Sequence, residues 1–268
     1  MSTLTLDPPR RPADVAQATR QTLLFGLAIQ LALLAPSLIA LAVDDRLLHN
    51  ATVWAKPIKF QTSLVLLLGT LALLVPLAAP TRGLAPAALV VVTAATLEIA
   101  YITLQAARGR ASHYNDQTSV EATMYMLMGV VVLVMVAAVG WIGFRIWRTP
   151  ARPGGEGLRL GAALGLMLGA ALTLVTAGVL AQGDGHWVGG TPSDAGGLPL
   201  FGWSRTGGDL RVPHFFATHI MQALPLVGLA ADRVAPRRAV ALVWTGAGLS
   251  VLVVTMTFLQ ALAGRPFL

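Results

Sequence analysis

The chain has 268 residues and a mass of 28.0 kDa; 55% of its residues are hydrophobic and only 12% are charged. Soluble domains carry about 25% charged residues. The composition and a mean hydropathy of +0.70 therefore exclude a soluble globular or disordered protein and indicate that lipid is the main solvent. The chain contains no cysteine, which excludes disulfides, thiolate metal sites and a cysteine nucleophile.

The net charge of +7 comes from basic residues that are spread thinly between apolar runs. A nucleic-acid site needs a basic cluster, so we expect no nucleic-acid partner and interpret the excess as contact with lipid head groups. All basic residues except Lys56 and Lys59 are arginines, and Ala, Gly and Leu are abundant. This usage is typical of GC-rich bacterial coding and predicts a protein of the bacterial cytoplasmic membrane.

Seven apolar runs are long enough to span a bilayer, which takes about 20 helical residues. They predict an all-α, polytopic membrane helical bundle with an N-terminal tail at 1–21 and a transmembrane domain at 22–264. The runs are 22–43, 62–79, 85–107, 122–147, 160–182, 213–231 and 239–264. On the fifth run, Gly161, Gly165 and Gly169 form a small-xxx-small ridge that predicts close packing against another helix.

Arginines and lysines favour the cytoplasmic side of a membrane protein. The balance of basic residues between the two sides, and the short basic link 233–238, predict an N-in and C-out orientation. All five histidines then lie in the outer half. The long outer loop 183–212 is rich in glycine and contains aromatic residues, which favours a lid that packs over the bundle.

The first polar segment precedes the second span and contains Lys56 and Lys59, the only lysines of the chain. A compact point charge at this position makes both residues candidates for ligand binding. The alternative is that both are interfacial lysines whose stems lie along apolar surface.

The third span carries a polar stripe, because its polar residues recur at intervals of three and four. The stripe consists of Glu98, Tyr101, Gln105, Arg108 and Ser112. Glu98 lies about 14 Å below the outer end of the span. An ionisable residue at this depth is a functional candidate by default, so we predict a catalytic Glu98, with Tyr101 and Gln105 contributing to ligand binding. A structural ion pair between helices is the alternative.

The next loop is dense in polar residues. Arg108 and Arg110 can each fork onto a carboxylate or phosphate, which makes them candidate ligand-binding residues. His113 is a candidate catalytic base or metal ligand. Its neighbour Ser112 is not a catalytic partner by adjacency alone, because a base must reach its nucleophile in space. The alternative is a solvated loop.

The sixth span opens with a histidine pair. His214 and His219 are five residues apart, about 140° around a helix, and Gln222 lies between them. Neutral histidines facing a bundle interior are good metal or haem ligands, whereas hydrogen-bonded interior histidines are the alternative. Asp209 and Arg211, just before this span, are candidate ligand-binding residues, and His186 in the long loop is a further candidate metal ligand.

Three functions remain open. The first is a redox protein that binds haem or a transition metal through histidines, with arginines at the haem propionates. The predicted ligands are His113, His186, His214 and His219. The second is a membrane enzyme that acts on a lipid or isoprenoid with Glu98 or a histidine as acid or base. The third is a transporter or receptor, against which the odd span count and the lack of an inverted repeat weigh.

In span count and residue types, the chain resembles membrane hydrolases of the haemolysin III and alkaline ceramidase type. The histidine motif that such families carry on their last span is absent here, so the resemblance assigns no residue. Because Glu98, Gln105, His219 and Gln222 all need polar partners that lipid cannot supply, we also expect the third and sixth spans to face each other across one outer cavity.

Overall fold

The computed structural model describes residues 12–151 and 155–268. Within these residues, seven helices are long and apolar enough to cross a membrane, which confirms the predicted all-α, multi-pass bundle and its lipid bilayer environment. The helices are α1 Pro12–Val43, α2 Ala55–Leu74, α3 Leu84–Ala107, α4 Ser119–Trp147, α5 Glu156–Leu180, α6 Arg211–Val234 and α7 Ala239–Leu262. Short 3-10 turns at Val75–Leu77 and Pro236–Arg238 continue α2 and precede α7.

The first helix begins at Pro12, well before the predicted span, so residues 12–21 of the predicted tail are helical. Proline suits the first turn of a helix, and the Ala, Gln and Arg residues that follow have good helix propensity. Residues 1–11 of the predicted tail lie outside the described residues. Arg10, Arg11 and Arg152, which contributed to the predicted orientation, lie outside them as well.

Four segments meet at one end of the bundle, because α1, α3, α5 and α7 end there and α2, α4 and α6 begin there. We call this end the long-loop side; its segments are 44–54, 108–118, 181–210 and 263–268. The first is a hairpin of strands β1 Leu47–Leu48 and β2 Ala51–Thr52, and the third contains β3 Trp187–Val188 paired antiparallel with β4 Gly208–Asp209.

Helix packing separates the third and sixth helices. Helix α3 packs against α1, α2 and α4, whereas α6 packs mainly against α5 and α7, and α2 touches both. The glycine ridge of α5 lies against α6: an added methyl group would meet the Leu224 carbonyl at Gly161, the Pro225 ring at Gly165 and the Met221 side chain at Gly169. The predicted close packing of this ridge is confirmed.

The long loop lies against the bundle. Lys59 Nζ donates to the carbonyl oxygen of Phe201 at 2.8 Å, which ties the loop to the first turns of α2. Trp203 stacks on Phe201 with ring centroids 4.3 Å apart, and its ring also meets Phe215 of α6 at 5.4 Å. The loop therefore covers the bundle end with an aromatic cluster.

Candidate active site

The turn after α3 decides where the polar loop lies. Gly109 has a φ of 66°, a left-handed conformation that glycine adopts without strain. Its N–H donates to the Ala106 carbonyl and the Arg110 N–H to the Gln105 carbonyl, both at 2.9 Å, which is a Schellman cap. The predicted helical stripe is therefore wrong at Ser112, because the helix ends at Ala107 and the chain turns back.

This turn places His113 beside Glu98. Its Nε2 lies 3.6 Å from Glu98 Oε1, where the two side chains are 23% and 4% exposed. Both carboxylate oxygens of Glu98 are buried and, within the described part of the chain, accept no hydrogen bond. The imidazole lies between the rings of Phe60 and Tyr125, whose centroids are 5.7 and 5.6 Å away. Glu98 thus has the His113 imidazole as its nearest polar neighbour, and Lys56 is the cation that acts on it.

Ser112 completes a line of three groups. Its Oγ lies 3.2 Å from His113 Nδ1, at hydrogen-bonding distance, and the residue is 4% exposed. The other imidazole nitrogen faces Glu98. A hydroxyl, an imidazole and a carboxylate in this order can activate the hydroxyl, because the imidazole accepts its proton and the carboxylate stabilises the imidazolium.

Lys56, in the first turn of α2, is the cation that acts on both members of the pair. Its Nζ lies 5.7 Å from the ring centroid of Phe60. Burial lowers the pKa of His113 well below its ordinary value, and the positive charge of Lys56 lowers the pKa further. The imidazole is therefore neutral at neutral pH, which is the form that accepts a proton.

The remaining residues of the α3 stripe stabilise the loop. Arg110 forks onto both carboxylate oxygens of Glu121, which also accepts from Gln105 Nε2 at 3.1 Å. Thr118 caps α4 by accepting from the Glu121 N–H. Arg110 and Gln105, predicted to bind a ligand, thus hold the loop onto α4 in this structure. The hydroxyl of Tyr101 is buried and has no hydrogen-bond partner among the described residues.

Asp209 and Arg211 stabilise the long loop. Asp209 is buried and accepts from the backbone N–H of Ser204 at 2.9 Å and from the Arg211 guanidinium at 2.7 Å. The same guanidinium lies 2.9 Å from Asp194 Oδ1 and donates to the Gly202 carbonyl. These contacts join the middle of the loop to its C-terminal end.

His186 belongs to the same group of contacts in the long loop as Asp209 and Arg211. Its Nε2 lies 3.4 Å from Asp194 Oδ1, and the centroid of its ring lies 3.8 Å from that of Trp187, with the two rings tilted by 37°. Burial lowers the pKa of His186 and outweighs the effect of Asp194. Burial alone would raise the pKa of Asp194, but the neighbouring His186 imidazole and the charge of Arg211 hold it below its ordinary value.

The two histidines of α6 have local partners. His214 Nδ1 lies 3.1 Å from Thr176 Oγ1 of α5, and His219 Nδ1 lies 3.2 Å from Gln222 Oε1. Helices α3 and α6 pack mainly against different neighbours, and no hydrogen bond or ion pair joins Glu98 to His219 among the described residues, so the expected shared cavity stays a prediction. Glu98 is compensated from the α3–α4 loop and α2, and His219 within its own helix.

The four predicted metal ligands are distributed over three places. His113 lies with Glu98, His186 with Asp194, and His214 and His219 lie on α6. Across residues 12–151 and 155–268, no group of three or more His, Asp or Glu side chains is arranged to hold a metal ion. The metal or haem hypothesis therefore has no support from the arrangement of these residues.

The sequence predicts Glu98 and His113 as catalytic residues but assigns no role to Ser112. Gly109 could have shown that the stripe stops before Ser112, because a glycine just after an apolar helix predicts the end of that helix. No feature of the sequence predicts that the loop runs back toward the bundle after that glycine. Comparison of the chain with protein-family models, with curated proteins and with solved structures found no match.

Proposed function

We propose that the protein is a membrane-embedded hydrolase that acts on an ester carbonyl of a lipid. Ser112 is the nucleophile, His113 the general base and Glu98 the group that orients and stabilises the imidazole. One observation carries the proposal: Ser112 Oγ, the His113 ring and the Glu98 carboxylate follow one another at 3.2 Å and 3.6 Å. The last distance is longer than a hydrogen bond, and such contacts often tighten when substrate binds.

The mechanism requires His113 to carry its proton on Nε2, toward Glu98, so that Nδ1 is free to accept. Ser112 Oγ attacks the carbonyl carbon while its proton passes to His113 Nδ1. The tetrahedral intermediate then releases the alcohol, which takes that proton, and an acyl ester remains on Ser112. Water, deprotonated by the same nitrogen, hydrolyses this ester and restores the serine.

Glu98 and Lys56 have opposite effects on this cycle. The Glu98 carboxylate favours the imidazolium that forms during attack, whereas the Lys56 ammonium opposes it. Lys56 instead favours the negative charge that develops on the carbonyl oxygen, because a cation in a site that excludes water stabilises a transition-state oxyanion. Ser112 is buried, so the segment 108–118 has to open before a lipid carbonyl reaches it.

A fluorophosphonate probe, which captures activated serines, tests the proposal on the full chain in detergent micelles and in liposomes. We expect one covalent adduct on Ser112, no adduct in Ser112→Ala and strongly reduced labelling in His113→Gln. The control Ser119→Ala removes an exposed hydroxyl at the start of α4 and should label like the unmodified protein. An unlabelled but folded protein that also leaves lipid esters intact would overturn the proposal.

The predicted location in the bacterial cytoplasmic membrane, with this site on the outer side, belongs to the same proposal. Arginine usage supports the bacterial origin, and the basic link 233–238 at the opposite end of the bundle supports the orientation. The lipid substrate would then come from the outer leaflet.

A proton-coupled transporter is a second candidate, because two further buried amide side chains lie inside the bundle. Gln30 of α1 is fully buried, and neither its amide nitrogen nor its amide oxygen has a hydrogen-bond partner among the described residues. Gln61 of α2 donates to Ser37 Oγ at 3.0 Å, and its own oxygen has no partner in the part of the chain that the structure describes. Unpaired polar groups inside a bilayer are costly and mark ion pathways.

Proteoliposomes that contain a pH-sensitive dye test this candidate. We expect an imposed membrane potential to drive proton entry that Gln30→Leu abolishes. Entry at the rate of protein-free liposomes would reject the transporter and leave the hydrolase proposal unaffected, because Gln30 takes no part in it.

A further inference from the structure

A cavity of about 420 Å³ opens on the long-loop side, between the β1–β2 hairpin and the segment 108–117. This volume is within the range of small-ligand sites, about 300–1,000 Å³. The polar residues that line the cavity are His49, Arg108, Arg110, Asn115, Asp116 and Gln117.

Arg108 is the cation of this cavity that remains available to a ligand. Its NH1 donates to Gln105 Oε1, a neutral acceptor, at 2.9 Å, and no carboxylate forms an ion pair with it in the part of the chain that the structure describes. Arg110, by contrast, is neutralised by Glu121. A guanidinium has five N–H donors, so Arg108 keeps donors for an anionic ligand.

The position of Arg108 indicates where the ligand comes from. Arg108 directly follows the last residue of α3 and lies within about 40° of Leu97 and Leu104 around the helix axis. These leucines are 57% and 53% exposed, so this face of α3 contacts lipid. A cation at the end of a lipid-facing surface lies at the level of the head groups.

We propose that the cavity binds the head group of a membrane phospholipid, with Arg108 on its phosphate. Arginine recognises phosphate through two parallel N–H donors. Asp116, exposed and without a hydrogen-bond partner among the described residues, supplies a negative charge that suits the ammonium of an ethanolamine head group. The site does not depend on the proposed hydrolase, because neither residue belongs to the Ser112–His113–Glu98 group.

Native mass spectrometry of the full chain measures retention of added phosphatidylethanolamine, phosphatidylglycerol and diacylglycerol. We expect both phospholipids to be retained over diacylglycerol. Arg108→Gln should weaken phospholipid binding about tenfold or more, the loss of a charge-assisted hydrogen bond. Arg205→Gln removes the same charge from an exposed position of the long loop and should bind like the unmodified protein.

A second variant distinguishes weaker binding from misfolding. Arg108→Lys keeps the positive charge but loses the two parallel N–H donors, so it should show intermediate binding. The unfolding temperature of each variant is measured as well. Equal loss in Arg108→Gln and Arg205→Gln would show general charge attraction and overturn the site. Inorganic phosphate could instead bind with the same dependence on Arg108 while phospholipids are not retained. That result would show a site for free phosphate and would overturn the proposed lipid ligand. Ser112 labelling reports separately on the hydrolase.

Discussion

His113 Nε2 lies 3.6 Å from Glu98 Oε1 and joins a partly exposed loop imidazole to a carboxylate buried in α3. The contact crosses the end of a membrane helix, because the Schellman cap at Gly109 turns the chain back toward the bundle. Glu98 has no hydrogen bond of its own in the described structure, so the Lys56 ammonium is the cation that acts on its charge, while the neutral imidazole is its nearest polar neighbour.

Glu98→Gln should reduce turnover of a lipid ester about 10⁴-fold, the loss seen when the carboxylate of a catalytic triad becomes an amide. The fold should persist, because the amide has the same shape and the carboxylate has no hydrogen bonds to lose. Steady-state hydrolysis in mixed micelles measures the effect. Glu156→Gln changes an exposed carboxylate at the start of α5 and should stay within about twofold. Equal rates for Glu98→Gln and the unmodified protein would remove Glu98 from the mechanism.

The pH dependence of Ser112 labelling should follow His113. The pKa of His113 in the folded protein lies well below the ordinary value of 6.5, so the imidazole stays neutral as the pH falls through 6.5. The labelling rate should therefore hold its maximum there and decline only at lower pH, where the protonated imidazole no longer accepts the serine proton. A decline centred at or above 6.5 would contradict this assignment.

Lys56→Met should move this decline to higher pH, because removal of a nearby positive charge raises the pKa of His113. Lys59→Met provides the matched control. Lys59 is exposed and does not act on His113, so its removal should leave the midpoint of the decline in place. Labelling rates across the pH range in both variants make the comparison, and identical midpoints would exclude Lys56 from the site.

Arg211→Met should loosen the long loop, because it leaves the buried Asp209 carboxylate without its cation. Breaking a buried ion pair from one side costs about 3 kcal/mol or more in the free energy of unfolding. Limited proteolysis should cut within 181–210 faster, and thermal unfolding in detergent should begin earlier. Arg205→Met removes an exposed arginine of the same loop and should change neither.

Gly161→Ala should destabilise the contact of α5 with α6, because the new methyl group meets the Leu224 carbonyl. Overpacking of this kind costs about 1–3 kcal/mol in the free energy of unfolding. Gly178→Ala is a matched control on the same helix, where an added methyl group meets no atom within 4 Å. That variant should be neutral or stabilise by up to about 1 kcal/mol. Unfolding in detergent against denaturant measures both, and equal effects would contradict the close packing.

The predicted orientation gives a direct test by reporter fusion. A fusion in the link between α4 and α5 should report the cytoplasm, and one within 181–210 should report the outer side, because the first link carries the basic residues Arg148 and Arg159. The reverse result at both positions would invert the orientation and move the proposed site to the inner leaflet.

The class of the protein and its helices follow from composition and local patterns alone. Composition and seven apolar runs predict a membrane bundle, because each span must satisfy its own backbone in lipid. The small-xxx-small spacing of Gly161, Gly165 and Gly169 predicts a tight helix contact for an equally local reason. The depth of Glu98 within its span is also a property of the sequence, and it makes this carboxylate a functional candidate because a charge at that depth is costly.

Which polar groups meet depends on how distant segments pack together. The reversal at Gly109 brings Ser112 and His113 together beside Glu98, and no periodicity of α3 predicts that path. Packing also gave α3 and α6 mainly different neighbours, so Glu98 and His219 have different polar partners. Helix periodicity gives the face on which a side chain lies, but not the segment that covers that face, because contacts between distant segments depend on the packing of the whole chain.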